Sequence, residues 1–378
     1  MKKYDVLIIG GGVIGSSIAF QLSKQGKKVA ILEKNRLASE ASSAAAGMLG
    51  AQAELEEEIG PLFELAIKSR ALFPHLAEEL REISGIDIGL VQRGMLKVAL
   101  TDCEAEKFKK IVQCQQAAGE TAEWLDTEEV KKREAHLSSD IKGAIYIPKD
   151  GQVLAPDLSL AFAKSAAILG AEIYEFTKVN ALLRHEGRVS GVLTDSEAFF
   201  ADKVVIASGA WSSQLLKDFP LKQQVFPVKG ECISVITHKP LVESTIFSHG
   251  CYLVPKKGGR LLVGATMIEH TFDKKVSVEG VSQLLTHAQR LLPAISSAEW
   301  EASWAGLRPQ TANGLPILGV HPEFQGLYVA AGHYRNGILL SPLTGILMAD
   351  LLAEKDEAKA MLAPFALQSG IKKRGVVG

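Results

Sequence analysis

The sequence predicts an α/β protein with an α+β portion: one unit wound around a mainly parallel sheet, and a second carrying a mainly antiparallel sheet. Three observations predict this. Within the first thirty-three residues a buried strand runs into a glycine-rich turn, a helix and a second strand. Strand signals interleaved with helices return after residue 150, and a strand-rich stretch with a hairpin signal fills residues 224–267.

The first element runs from Tyr4 to Ile9 and opens into Gly10-Gly11-Gly12-Val13-Ile14-Gly15. Gly10 permits the tight turn, Gly12 lets the backbone approach a pyrophosphate, and Gly15 lets helix and strand pack closely. Phosphates held there meet unpaired N–H groups and the positive end of a helix dipole. Ile18, Ala19 and Leu22 give the helix its apolar face, Gly26 ends it, and Val29 to Leu32 forms a second strand closed by Glu33. An acid at that place contacts a ribose 2′-OH and repels a 2′-phosphate, so NADP is disfavoured and FAD or NAD remain. The whole is a Rossmann-like dinucleotide-binding unit.

The next segments are less regular. Leu37 to Gly50 is rich in small residues, which fits a helix packed tightly on another helix or, directly after a nucleotide-binding unit, the favoured reading of a chain hugging a ligand. Glu54 to Ile83 has helical periodicity, with a solvated acidic start at Glu54, Glu56, Glu57 and Glu58, although Pro61 and Pro74 are expected to break or kink it. A strand-like run at 94–100 and charged helices at 102–118 and 127–134 read as an inserted region. Pro156 to Leu169 is then a helix stopped by Gly170, followed by strands at 172–176, 188–193 and 203–207.

Gln224 to Thr237, Gly250 to Pro255 and Arg260 to Met267 are strands, with a hairpin turn at Lys256-Lys257-Gly258-Gly259. A helix at 281–291 and strands at 302–309 and 327–331 follow. The last helix is expected over 343–353, with Ser341 as its N-cap and Pro342 at its first position.

Composition narrows the function classes. Forty-two basic against forty-three acidic residues give a net charge of −1, so no general field draws the chain to nucleic acid or anionic lipid. No run approaches the ~20 apolar residues of a membrane span, and the early fingerprint leaves no room for a signal peptide. Cys103, Cys114, Cys232 and Cys251 are scattered, which argues against a disulfide framework or a zinc site and for a reducing, cytoplasmic setting. Residues 367–378, with Lys372-Lys373-Arg374, read as a disordered tail.

Five further motifs carry a resemblance: Ser43 to Gly50, Pro227-Val228-Lys229-Gly230-Glu231, Val263 to Met267, Trp304 to Pro309, and Gly332 to Leu340. In order, they resemble the glycine oxidases, the thiamine-pathway branch of the D-amino-acid oxidase and sarcosine oxidase superfamily of flavoproteins. The resemblance implies a discontinuous FAD-binding domain (1–88, 150–222 and 305–366) and a substrate-binding domain (89–149 and 223–304) whose sheet covers the flavin. Besides Gly10, Gly12 and Gly15, it implies FAD contacts from Val13, Ile14, Glu33, Lys34, Ala41, Ser42, Ala46, Gly47, Met48 and Val179. The loop Gly332, His333, Tyr334, Arg335, Asn336, Gly337, Ile338 and Leu339 completes that set.

Arg308 matches the family's carboxylate ligand, as a planar guanidinium suits a carboxylate bidentately. Tyr252, Arg335, Met48 and Met267 line the same pocket by this resemblance. The implied reaction is oxidative deamination of glycine, with sarcosine and small D-amino acids, by hydride transfer to the flavin. It needs no side-chain acid or base, and molecular oxygen reoxidises the flavin to give hydrogen peroxide.

Gln310 stands where sarcosine oxidases bond the flavin through cysteine, so the FAD is expected to be non-covalent. Gly250 replaces a histidine of some relatives, with His249 displaced by one, and Leu262 lies near the oxygen-reactive lysine of sarcosine oxidases. The family implies a homotetramer. The rival readings are a D-amino-acid dehydrogenase with another electron acceptor, and a protein using FAD as a structural or sensing element.

Overall fold

The computed structural model describes residues 3–55 and 59–370. Its first sheet has eight strands, with Lys3–Ile9 at the centre between Ala198–Ile206 and Val29–Leu32, all parallel. Leu327–Ala331 and Glu172–Tyr174 extend the parallel part on either side. The antiparallel strands Val179–His185 and Arg188–Thr194 hang off Ala198–Ile206. Strands buried on both faces read as continuous apolar runs, and Lys3–Ile9 alternates only until Val6 before becoming fully buried.

Helices Val13–Lys24, Pro61–Ser84, Ala155–Ile168 and Gly337–Leu352 cover one face. Ile8, Ile18, Phe20, Phe162, Leu340 and Met348 form the core beneath them. Tyr4, Leu7, Phe199 and Phe219 fill the other face.

The second sheet has nine strands, and its one parallel pair is Thr245–Ser248 with Met95–Ala99. Its axis is the long antiparallel pair Val225–Ile236 with Glu299–Thr311, in register from Val225↔Thr311 to Ile236↔Glu299. This strand is continuous through residue 305, where a domain boundary is expected. Residues 305–311 therefore stay with the second sheet, because breaking the ladder there would orphan its backbone hydrogen bonds. A separate antiparallel pair joins Met48–Leu49 to Gly151–Gln152, and a buried cluster beside it links the first unit to Glu120 of the second. In that cluster Arg70 meets Asp150 at 2.5 Å and Glu120 at 2.9 Å.

Three expectations need correction. The helix expected from Glu54 begins at Pro61, whose missing N–H is harmless at the first helical position; Pro74 lies inside it. Glu54 precedes the helix in a turn, and Glu56, Glu57 and Glu58 lie outside the described residues.

Ser341 does not cap the last helix, which starts at Gly337. Pro342 cannot donate to the Ile338 carbonyl, and the Ser341 hydroxyl takes that role at 2.8 Å. Beside it, the Ser69 hydroxyl donates to the Leu339 carbonyl at 2.7 Å and accepts from Leu343 N at 3.3 Å, standing inside the helical ladder. These two hydroxyls let the helix run through the proline.

The tail expected from residue 367 begins later. Leu367 is buried, Ser369 bridges Leu221, and Gly370 N donates to Pro220 O at 3.0 Å. Residues 371–378 lie outside the described residues.

Candidate active site

A cavity of about 830 Å³ lies between the carboxyl ends of the parallel strands and the inner face of the second sheet. Its floor is the end of four parallel strands: Ile9-Gly10, Leu32-Glu33-Lys34, Ala207 to Trp211, and Ala330-Ala331. Ligands in open α/β sheets bind outside such strand ends.

The turn is built by Gly10, at φ +111°, where an added Cβ would lie 2.5 Å from the Ala207 carbonyl oxygen. That φ and that approach exclude any side chain. Gly12, Val13 and Ile14 line the cavity at the start of the fingerprint helix, and Val13 N donates to Ser42 Oγ at 2.9 Å. The Glu33 carboxylate accepts from Gly11 N at 2.8 Å and Asn35 N at 2.9 Å. Each oxygen keeps a lone pair for a ribose hydroxyl.

The small-residue segment forms one wall, with Ala41, Ser42, Ala46, Gly47 and Met48 on the cavity. Gly47 presses on the Val153 carbonyl, which leaves no room for a Cβ there. Lys34 sits 3.2 Å above the Trp211 ring, and burial holds its ammonium below the usual lysine range. Val179 lines the same end.

Across the cavity, Arg308 lies in register with Val228, and its guanidinium covers Gly230 so closely that a Cβ there would collide with it. Arg308 Nη1 donates to the Thr266 carbonyl at 3.1 Å. Tyr252 occupies the space that a Cβ on Gly264 would need, and its hydroxyl lies 3.3 Å from Cys232 Sγ. Gly230 and Cys232 are alternate residues of one strand, so guanidinium and phenol stand over the same sheet face. Burial pushes the Tyr252 phenol well above its ordinary range, which keeps it a hydrogen-bond donor.

Arg335 pairs with Glu54 at 3.0 Å and stands 5.4 Å over the Phe247 ring. Tyr334 OH meets Met267 Sδ at 3.4 Å at the exposed edge. His333 is buried against Thr344 Oγ1 at 3.2 Å, and burial pushes its imidazole down to about 3, so it stays neutral.

Most of the sequence-derived residues therefore meet in one cavity, but Gly15, Gly332, Asn336 and Leu339 do not line it. Gly15 packs against the Gly10 carbonyl, Gly332 turns the chain under Thr311, Asn336 precedes the last helix, and Leu339 accepts from Ser69. His249 and Gly250 both reach the cavity edge.

Sequence reasoning passed over Ala207 to Trp211, although a parallel strand ending in Ser-Gly is itself a signal. Lys97, Phe108 and Phe247 also line the cavity and had no local signal. Two cysteines, Cys232 and Cys251, do reach the wall. Burial raises both thiols, Cys251 to about 12, so neither is a ready nucleophile. Among the described residues no group of His, Cys, Asp and Glu could hold a metal ion, and no helix is long and apolar enough to cross a membrane.

A glycine turn and a helix start at one end of this space, an acid beside them and a second sheet closing it define a two-sheet dinucleotide-binding protein. The chain belongs to the FAD dependent oxidoreductase family, whose model matches residues 5–351. FAD is thus its dinucleotide, which resolves the choice with NAD.

The chain is 52% identical over 376 residues to the glycine oxidase of Geobacillus kaustophilus (strain HTA426), covering 99% of each. The crystal structure of glycine oxidase from Geobacillus kaustophilus superposes with a TM-score of 0.94 at 51% identity, covering 98% of this chain and 100% of that one. A bifunctional protein ThiO/ThiG from Synechocystis sp. (strain ATCC 27184 / PCC 6803 / Kazusa) is 37% identical, matching 93% of this chain and 52% of its own length.

Proposed function

We propose that this enzyme oxidatively deaminates glycine, and with it sarcosine and small D-amino acids, yielding the α-keto acid (glyoxylate from glycine), ammonia or amine, and hydrogen peroxide. The observation that carries the reading is the pair Arg308 and Tyr252 on one sheet face above Gly230 and Cys232. A guanidinium fork and a phenol on one shared face suit one carboxylate, held with its α-carbon toward the nucleotide end. The glycine oxidases at 52% identity support the substrate class.

Bound FAD supplies the hydride acceptor. Gly12, Val13, Ile14 and Glu33 hold its phosphate and ribose end, and the wall from Ala41 to Met48 with the loop from His333 to Ile338 encloses the rest. The chain's own contribution to the reaction is placement. Arg308 anchors the carboxylate, Tyr252 donates to it, and Met48, Met267 and Arg335 bound the space left for the α-substituent. His333, neutral and turned to Thr344, offers no general acid at working pH. The cofactor is held without a covalent bond, as Gln310 and two unreactive thiols supply no attachment.

A homotetramer and a place in thiamine biosynthesis complete the reading. They rest on the sequence resemblance, and the second also on the ThiO half of the bifunctional relative. Light scattering of the purified protein tests the tetramer.

The reaction is tested by mixing the flavin-loaded protein with glycine, sarcosine and D-alanine in air and following peroxide. Peroxide from glycine is expected. Flavin that bleaches and stays bleached in air points to a dehydrogenase with another acceptor, and no bleaching with any of the three overturns the substrate class.

A further inference from the structure

The motif Pro227-Val228-Lys229-Gly230-Glu231 holds a buried ion pair that the reaction does not use. Lys229 Nζ lies 3.1 Å from Glu231 Oε1, and both side chains are almost wholly buried on the strand that carries Gly230. Around them the chain runs from Gly264 to the helix Val278–Leu291 as a long connection that pairs with the sheet at Ile268–Glu269, opposite Lys229 and Val228.

Glu231 fastens both ends of this connection. At the outgoing end its backbone N donates to Thr266 Oγ1 at 2.9 Å, and the Thr266 hydroxyl reaches Glu231 Oε2 at 3.4 Å. At the returning end Glu231 Oε1 accepts from Ser277 N at 2.9 Å, and Oε2 accepts from Ser277 Oγ at 3.2 Å. Lys229 Nζ donates to the Lys275 carbonyl at 2.7 Å. Gly280, in the first turn of the following helix, packs so tightly on Glu231 Oε2 that no Cβ fits there. The carboxylate thus also faces the positive end of that helix.

The connection carries one group that holds Arg308 and one that lines the cavity. Thr266 offers the carbonyl that holds Arg308 Nη1, and Met267 stands at the cavity edge. A guanidinium on a flexible stem gains precision from a fixed acceptor, and a fixed acceptor needs a fixed backbone.

We infer that Glu231, supported by Lys229 and acting through Thr266, is the positioning residue for Arg308, and sets affinity for the substrate carboxylate without touching substrate. This rests on the reading of Arg308 as the carboxylate anchor.

The test uses the FAD-loaded enzyme with Glu231→Gln and, separately, Thr266→Val, which leaves the Lys229–Glu231 pair in place and serves alone if the first variant does not fold. Each is expected to raise the glycine KM about tenfold, the scale of one weakened charge-assisted hydrogen bond, with kcat and flavin content near wild type; Thr266→Val should keep the melting temperature, whereas Glu231→Gln should lower it because the buried Lys229 ammonium loses its carboxylate. The inhibition constant of a simple carboxylate such as acetate should rise in parallel. The double variant should be no worse than the more affected single variant, because both act through one carbonyl.

An unchanged KM in both variants overturns the inference, as does a Thr266→Val variant in which a raised KM comes with a loss of kcat, flavin content and melting temperature, which marks a merely structural role. Arg308→Ala separates the two levels. If it leaves KM unchanged, the anchor reading fails; if it raises KM while the two variants do not, only the positioning role fails.

Discussion

The two halves of the cavity are made of different materials. At the proposed nucleotide end the recognising groups are mostly backbone, the turn at Gly10 to Ile14 and the pressed Gly47, with one side chain, the Glu33 carboxylate, held by Gly11 N and Asn35 N. At the proposed substrate end they are side chains, Arg308 and Tyr252, drawn from strands that two others separate in the second sheet. A backbone site is local in sequence and tolerates no added atom at its glycines. A side-chain site is assembled over long separations and can be thinned one interaction at a time.

Substitutions should reveal that difference, and the largest effect is expected at the turn. Gly10→Val places a branched Cβ at φ +111° against the Ala207 carbonyl. A loss of about 3 kcal/mol or more is expected, with purification as flavin-free protein. Flavin absorbance per chain measures it, and a variant that retained its flavin would break the contrast.

Acid should act next, at the junction of the halves. His333 is held neutral with its folded value near 3, against about 6.5 in the unfolded chain. Between these values the unfolded state binds more protons, so stability is lost as pH falls from about 6.5 toward 3, by at most about 1.4 kcal/mol per pH unit. Melting curves of the wild type and His333→Phe between pH 4 and 7 should converge at the acid end if this holds.

Tyr252→Phe removes one donor at the substrate end. The expected result is a rise in glycine KM of about five- to tenfold, with flavin content unchanged, on the scale of about 1 kcal/mol for one hydrogen bond. Steady-state kinetics with flavin quantitation check it.

The smallest effect is expected from Ser69→Ala, which empties the position inside the last helix's ladder between Leu339 O and Leu343 N. About 1 to 2 kcal/mol of stability should be lost while KM is preserved, as seen by denaturant unfolding and kinetics together.

The same contrast governs what could be read from sequence. The fingerprint was legible because its glycines, helix and acid keep fixed spacings dictated by a phosphate and a helix terminus. Arg308 and Tyr252 carry no such spacing; only the family resemblance singled them out, and the register that faces them over Gly230 and Cys232 appears only in the folded sheet. Local rules also misjudged the last helix. A proline after a serine reads as a cap, yet Ser341 and Ser69 together satisfy the carbonyls of an interrupted ladder, and Ser69 comes from another helix. Glu54 read as part of a helix start because its neighbours are acidic, whereas it pairs with Arg335, far away in the chain.

Arg308→Ala tests the division of labour most directly. The wild type and the variant, both purified with FAD, are mixed with glycine without oxygen while flavin bleaching is followed across glycine concentrations. The account predicts equal flavin content and a half-saturating glycine concentration raised about a hundredfold or more, as expected when a carboxylate loses its guanidinium partner. Unchanged saturation in the variant, or loss of its flavin, would contradict it.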